Sequence, residues 1–258
     1  MDTSRMVAKA LTRKVRSASD RFEEWLEFTE HRTHFRSPLD RKERRIWRDF
    51  SSFLLNGHDF VIYDIGAYKG TYTTFFAKSR SVRAVIAFEP IPDIFHILSA
   101  RTGELENVSR YNVALGDKNE IATLYRSSFS ASSSLLPMGV IHKQAFPHSS
   151  HITNHPVTVV TLDDFVVAEA LPVPDLIKID VQGFEHRVLD GGRHTISKAR
   201  YCVLEMSMVP LYEGSLLFDD MFERMRELGF SLIGITGLLN DAQGRTLSVD
   251  GVFERARS

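Results

Sequence analysis

The chain has 258 residues, 43% hydrophobic and 25% charged, which is enough length and apolar content to bury a full core without covalent staples. A formal net charge of -1 excludes a general electrostatic pull toward nucleic acid or anionic lipid, and a single cysteine, Cys202, excludes an intrachain disulfide and fits a reducing compartment. No apolar run reaches the roughly 18 residues of a membrane-spanning helix, and the basic residues Arg5, Lys9, Arg13, Lys14 and Arg16 lead into no apolar signal core, so the expectation is a cytoplasmic protein with no transmembrane segment and no nucleic-acid partner.

Residues 1–58 contain no glycine before Gly57 and one proline, Pro38. Val7, Ala10, Leu11 and Val15 recur at helical spacing, as do Phe22, Trp25 and Leu26, then Ile46, Trp47, Phe50, Phe53 and Leu54. This predicts an N-terminal extension of two or three amphipathic helices. Over residues 1–49 there are 13 Lys/Arg against 9 Asp/Glu. Such a face suits a solvated helix packed on the main domain, a membrane-surface role, or contacts that build a homo-oligomer.

From residue 59 onward the pattern alternates. Phe60–Ile65 reads as a strand and Tyr72–Lys78 as a helix. Val82–Phe88 is a second strand, Ile94–Arg101 a second helix, and Val108–Ala114 a third strand. Residues 127–156 break the rhythm, with Ser127, Ser128, Ser130, Ser132, Ser133, Ser134, Ser149 and Ser150, three prolines and four histidines. An aperiodic stretch of this length is usually functional or disordered, and it reads as a mobile lid and substrate loop. Leu176–Val181, Glu185–Ile196 and Tyr201–Met206 then form strand, helix and strand. Phe218, Met221, Phe222, Met225 and Leu228 mark a helix face, and Phe230–Ile235 and Ser248–Glu254 are the last strands. Seven strands alternating with helices predict one doubly wound α/β domain over residues 59–258, with a mostly parallel sheet. No helix separates the last two strands, so the final one should run antiparallel.

The segment Asp64-Ile65-Gly66-Ala67-Tyr68-Lys69-Gly70 follows the first strand and opens a helix. Gly66 permits a sharp turn and close approach to a ligand, and Gly70 permits close helix–strand contact. A dinucleotide site would carry Gly-x-Gly-x-x-Gly here, whereas Asp64 replaces the first glycine. A carboxylate there repels phosphate and suits a zwitterionic ligand with an ammonium group, such as S-adenosylmethionine. The competing reading is a purely structural turn. Glu89, in Phe88-Glu89-Pro90 at the end of the second strand, is placed to accept hydrogen bonds from both hydroxyls of a ribose or to cap the helix after Pro90. Backbone near Ala114 and Leu115 can meet an adenine edge, with Asp117 accepting from its amino group or capping the turn at Gly116. The strand Leu176–Ile179 delivers Asp180 to its carboxyl end, where open α/β sheets bind ligands. Lys178 inside that apolar strand reads as one half of an ion pair.

At this point the chain resembles the FkbM-type methyltransferases of the class I methyltransferase fold, from about Val61 to Glu254. The resemblance rests on residues 64–70, Phe88-Glu89-Pro90, Asn112–Asp117, Thr161-Leu162-Asp163-Asp164-Phe165, Asp175–Glu185 and Val203-Leu204-Glu205, in that order and spacing. It implies a Rossmann-like fold, S-adenosylmethionine as cofactor, and O-methylation of a small hydroxylated acceptor such as a sugar, glycolipid or polyketide-like product. Carried over, the cofactor-binding set is Asp64, Gly66, Ala67, Gly70, Glu89, Pro90, Ala114, Asp117 and Asp180. One departure stands out: the family usually has glutamate before the glycine of its Asp-Val-Glu-Gly motif, and here it is Gln182.

A sugar hydroxyl is a weak nucleophile, and a positioned base contributes roughly 10²–10⁴-fold. Asp180 is the first candidate, its carboxyl pKa expected to be raised by partial burial. His186 is the second and Glu205 the third. His142, His148, His151 and His155 are irregularly spaced and predict no metal site. A divalent ion held by carboxylates near Asp180 is the metal alternative. Against the methyltransferase reading stand a nucleotide-dependent oxidoreductase on a similar fold and a non-catalytic S-adenosylmethionine-binding module.

Overall fold

The computed structural model describes residues 34–37, 39–54 and 58–255. The helices expected before residue 34 lie outside the described residues. Helix α1 (Arg41–Leu54) starts with a reciprocal cap. Asp40 Oδ1 accepts from the backbone of Lys42 and Glu43, and Glu43 Oε2 accepts from Asp40 N at 2.7 Å. The same Glu43, 1% exposed, forms a 2.9 Å ion pair with Lys78 and so ties α1 to the next helix.

Strands β1 (Phe60–Ile65), β2 (Val82–Phe88) and β3 (Val108–Tyr111) alternate with helices α2 (Thr71–Lys78) and α3 (Pro92–Thr102). After β3 the chain leaves the main sheet. It forms β4 (Ala114–Gly116), β5 (Glu120–Ser127), helix α4 (Val140–Ala145), β6 (Ile152–Thr161) and α5 (Leu162–Ala168). It returns as β7 (Leu176–Ile179), α6 (Glu185–Gly191), α7 (Arg193–Ile196), β8 (Tyr201–Ser207), α8 (Phe218–Glu227), β9 (Phe230–Asn240) and β10 (Thr246–Arg255).

The main sheet has seven strands in the order β3-β2-β1-β7-β8-β10-β9. Its first five are parallel to their neighbours, and β10 is antiparallel to both β8 and β9. This is the mostly parallel, doubly wound sheet the sequence predicts. Side chains alternate across it. Val61, Tyr63, Ile65, Ile177, Ile179, Cys202 and Leu204 pack with Val188, Leu189, Met221 and Met225 on one face. Phe60, Ile62, Leu176, Tyr201, Val203 and Val252 pack on the other with Ile46, Phe50, Phe75 and Phe76 of α1 and α2. At roughly 25 cal/mol per Å² of apolar surface, burying these faces is the main stabilising term.

Two sequence readings change. The predicted third strand, Val108–Ala114, is split: β3 ends at Tyr111, and Ala114 opens β4 of a second, three-stranded sheet ordered β4-β6-β5. The segment 127–156 is not aperiodic. It holds the end of β5, two 3-10 turns (Ser130–Ser132 and Pro147–Ser149), α4 and half of β6. Pro156 falls where only β5 accompanies β6, since β4 pairs with Val159–Thr161 alone. Among the described residues no helix is long and apolar enough to cross a membrane.

Candidate active site

A cavity of about 200 Å³ opens at the carboxyl ends of β1, β2 and β7 and is closed on its far side by the second sheet and the Ser130–Leu135 turn. This is where an open parallel sheet offers unpaired loop backbone to a ligand. Gly66 (φ +78°) makes the turn after β1, and its N–H donates to Phe88 O at 3.0 Å, with Ala67 N on the same oxygen at 2.9 Å. A Cβ at Gly66 would collide with the Asp180 carbonyl oxygen, so only glycine lets the β1 and β7 loops meet. Gly70 packs against Leu98 of α3 and is not on the cavity wall, and Ala67 is buried behind it.

Glu89 lies on the wall, 4% exposed. Its Oε2 accepts from Tyr68 N and its Oε1 from Ile91 N, both at 2.9 Å, so each oxygen keeps one acceptor site for a ligand. Burial pushes this carboxyl up to about 7, against the pull of the Ile91 and Tyr68 amides. Asn112 steadies the strand end by donating to Glu89 O and Pro90 O at 2.8 and 3.0 Å. Pro90 and Ala114 line the cavity as expected, with apolar surface from Phe88, Val113 and Leu124. Asp117 does not: its Oδ2 is paired with Arg187 at 2.7 Å.

Asp64 is also displaced from its expected role. It belongs to the strand parity of Phe60 and Ile62, so its side chain points under α2 and is fully buried. Thr73 Oγ1 donates to its Oδ2 at 2.6 Å. Its Oδ1 accepts no hydrogen bond and lies 4.0 Å from Lys178 Nζ. Burial raises this carboxyl, and Lys178 works against that rise. The carboxylate belongs to the sheet, not to the ligand wall.

The same parity puts Lys178 of β7, Glu205 of β8 and Ser248 and Asp250 of β10 on that face, at its carboxyl end. Lys178 forms the expected ion pair, 3.1 Å from Asp180 Oδ2, with its ammonium 4.6 Å from the centre of the Tyr72 ring. Asp180 itself is on the cavity wall, with 38% of its side chain exposed. Burial acts to raise its carboxyl, but the Lys178 ammonium and the Gln182 amide outweigh burial and hold it below the usual carboxylate range. This reverses the expected upward shift. Glu205 goes the other way. Burial, with the Asp180 and Glu185 carboxylates nearby, pushes it well above the ordinary value. Its Oε1 accepts from Ser248 Oγ at 2.7 Å and its Oε2 from Gln182 Nε2 at 2.9 Å. Glu205 is not on the cavity wall and stands behind Gln182, which is.

His186, the second base candidate, is 6% exposed near the start of α6 and absent from the wall. Burial and the neighbouring Arg187 and Arg224 lower its pKa. It does not reach the reacting region. The histidines of the 127–156 segment diverge: His142 is buried between Phe146 and Tyr212, and His151 lies in a separate surface cleft with Arg126. Among the described residues no group of three or more metal-ligating side chains is arranged around a common point.

Sequence reasoning missed Tyr68 and Tyr212. Tyr68 (φ +51°) lines the cavity and meets Ser130 Oγ through its hydroxyl at 3.0 Å. Tyr212, in the loop after β8, donates toward Gln182 Oε1 at 2.9 Å and Ser132 O at 3.1 Å. Only the contacts of a folded loop mark these residues out.

The fold is that of a class I methyltransferase domain: seven strands in this order, with a buried acid after β2 and a second acid after β7 lining one cavity. A family model described as the methyltransferase FkbM domain matches residues 64–232. The 2-O-methyltransferase NoeI of Sinorhizobium fredii is 31% identical over 169 residues, covering 63% of this chain and 70% of that protein. The chain belongs to the FkbM methyltransferase family. Among solved structures, the methyltransferase FkbM of Methylobacillus flagellatus KT aligns with a TM-score of 0.49 at 16% identity over 79% of this chain, which spans 45% of that one. The magnesium protoporphyrin IX methyltransferase of Synechocystis PCC 6803, solved with bound S-adenosylmethionine, aligns with a TM-score of 0.46 at 10% identity, covering 85% of this chain and 86% of that one.

Proposed function

We propose that this methyltransferase uses S-adenosylmethionine to methylate a hydroxyl oxygen on a small acceptor of the sugar, glycolipid or polyketide-like kind. One observation carries the reading: a single cavity is lined both by Glu89, with two preset, half-used oxygens, and by the partly exposed carboxylate of Asp180. The likeness to a 2-O-methyltransferase supports oxygen as the atom methylated.

When bound, S-adenosylmethionine supplies an electrophilic methyl carbon; its transfer forms an oxygen–carbon bond, breaks the carbon–sulfur bond with the electron pair going to sulfur, and frees the hydroxyl proton. Glu89 accepts the two ribose hydroxyls on its remaining acceptor sites. Gly66 lets the backbone approach the ligand without a side chain in the way. Asp180 accepts a hydrogen bond from the acceptor hydroxyl, fixes it in line for attack, and takes the proton. Much of the acceleration comes from that positioning. A low pKa does not disqualify Asp180, because the hydroxyl becomes strongly acidic as the new bond forms and the proton leaves late. Lys178, paired with Asp180 at 3.1 Å, favours its ionised form. The segments 1–58 and 127–156 choose the acceptor, the second by supplying Ser130–Leu135 to the wall.

Calorimetric titration with S-adenosylmethionine and its demethylated product tests the cofactor, and transfer of labelled methyl to a panel of hydroxylated acceptors tests the chemistry. Micromolar binding lost in Glu89→Ala, with label recovered in an ether-linked methyl group, is the expected result. No binding to folded protein, or label found on nitrogen or carbon, overturns the reading.

A further inference from the structure

Gln182 sits on the cavity wall with its backbone in the left-handed region, φ +58°. Its side chain is fully engaged. Nε2 donates to Asp180 Oδ1 and to Glu205 Oε2, each at 2.9 Å, and Oε1 accepts from the Tyr212 hydroxyl at 2.9 Å. Its backbone oxygen accepts from Ser134 Oγ at 2.7 Å. An amide offers two permanent donors, whereas a carboxyl offers at most one, and only when protonated.

We propose that Gln182 is a positioning residue whose amide clamps the Asp180 and Glu205 carboxylates side by side, keeping Asp180 anionic and aimed into the cavity, with Tyr212 fixing which way the amide faces. The inference rests on the methyl-transfer reading for what the cavity holds. Two acids this close repel each other unless donors lie between them, and removing the donors makes the pair take up a proton. The other groups facing the pair are mostly acids. Asp64 approaches from β1, Asp250 from β10 and Glu185 from α6, while Asp49 of α1 bears on Asp250. Tyr72 of α2 and Tyr212 are neutral, and Lys178 is the cation of the group. Glu205, already pushed upward, is the partner that protonates first.

The test compares a charged with a neutral ligand. S-adenosylmethionine carries a sulfonium, and S-adenosylhomocysteine is the same molecule with a neutral sulfur. Glu89 meets the same ribose in both, so its titration cancels in the ratio of the two dissociation constants. That ratio therefore reads charge on the Asp180 side of the cavity. In Gln182→Glu the shape is kept and the permanent donors are lost, so the cluster takes up an extra proton at low pH and releases it as the pH is raised, measured between pH 6 and 8. The preference for the sulfonium should then rise about tenfold more over that range than in the wild type, equivalent to one pKa unit of extra interaction. Gln182→Met, of similar length and without donors, should move the same way and stands in if the first variant fails to fold. Superimposable ratio–pH curves for wild type and folded variants overturn the clamp and leave the cofactor reading intact. Failure of the wild type to bind either ligand overturns both.

Discussion

Two carboxylates on the wall of one cavity face opposite electrostatic circumstances. Glu89 is buried without a cation and titrates near 7, so its ionised fraction rises between pH 6 and 8. If Glu89 receives two ribose hydroxyls as proposed, a carboxylate is a better acceptor for them than a carboxylic acid, and S-adenosylmethionine affinity should rise about tenfold over that interval. Glu89→Gln should weaken binding about 10- to 100-fold, the worth of a hydrogen bond to a charged group, and flatten the pH dependence. Calorimetry across the pH range checks both, and an unchanged slope in the variant counts against Glu89. Asp180→Asn keeps shape and removes the proposed proton acceptor. Turnover should fall roughly 10²–10⁴-fold with affinity for the neutral S-adenosylhomocysteine within a few-fold of wild type, and near-normal turnover would remove Asp180 from the chemistry. At this scale the sequence was legible in spacing and illegible in facing. The letters around Asp64 match a ligand loop, but Asp64 shares the parity of Phe60 and Ile62 and turns under α2. His186 follows the site in sequence, yet the helix it enters turns it into the interior. Asp117 is taken by Arg187, a partner 70 residues away that no local pattern announces.

The elements are held by close backbone contacts that tolerate no side chain. Gly191, at the end of α6, packs so tightly on β4 that a Cβ there would meet the Gly116 carbonyl oxygen. Both partners are buried backbone, so neither can yield. Gly191→Ala should therefore destabilise the protein by about 3 kcal/mol or more, at the upper end of single substitutions, through loss of the seam between the two sheets. Denaturant unfolding checks this, and a change below about 1 kcal/mol would show that the seam can open at little cost. The central strands β1, β7 and β8 were readable because both of their faces are covered, which makes them continuous apolar runs. The second sheet was not. Ile152–Thr161 shows buried residues only at Val157 and Val159, and its exposed Thr153, Asn154 and Pro156 look like loop. Its pairing with Glu120–Ser127 is a long-range fact that periodicity does not carry.

Over the whole molecule, burial raises Glu89, Glu185 and Asp250 to about 7. Each binds its proton more tightly folded than unfolded, so the stability it contributes is present below pH 4 and is lost as pH rises through 7. Asp40, Asp93, Asp164 and Asp180 are shifted downward and contribute stability above their ordinary value, lost as pH falls below it. Thermal stability of the ligand-free protein should therefore peak near pH 4 and decline toward pH 8. A melting temperature that is flat or climbing over that range would contradict the buried-carboxyl picture. The fold class was legible at this scale because strand–helix alternation is a property of the entire chain. The division into two sheets was not, because it depends on where the chain departs after Tyr111 and returns at Leu176.

That division bears on how the protein moves. Gly66, Glu89 and Asp180 reach the cavity from the main sheet, while Ala114, Leu124 and the Ser130–Leu135 turn reach it from the smaller one. A molecule lodged between them touches both bodies and acts as mortar, so part of its binding free energy is spent in suppressing their independent opening. Amide hydrogens of β6, which supplies no residue to the cavity wall, should then exchange with deuterium more slowly once the cavity is filled.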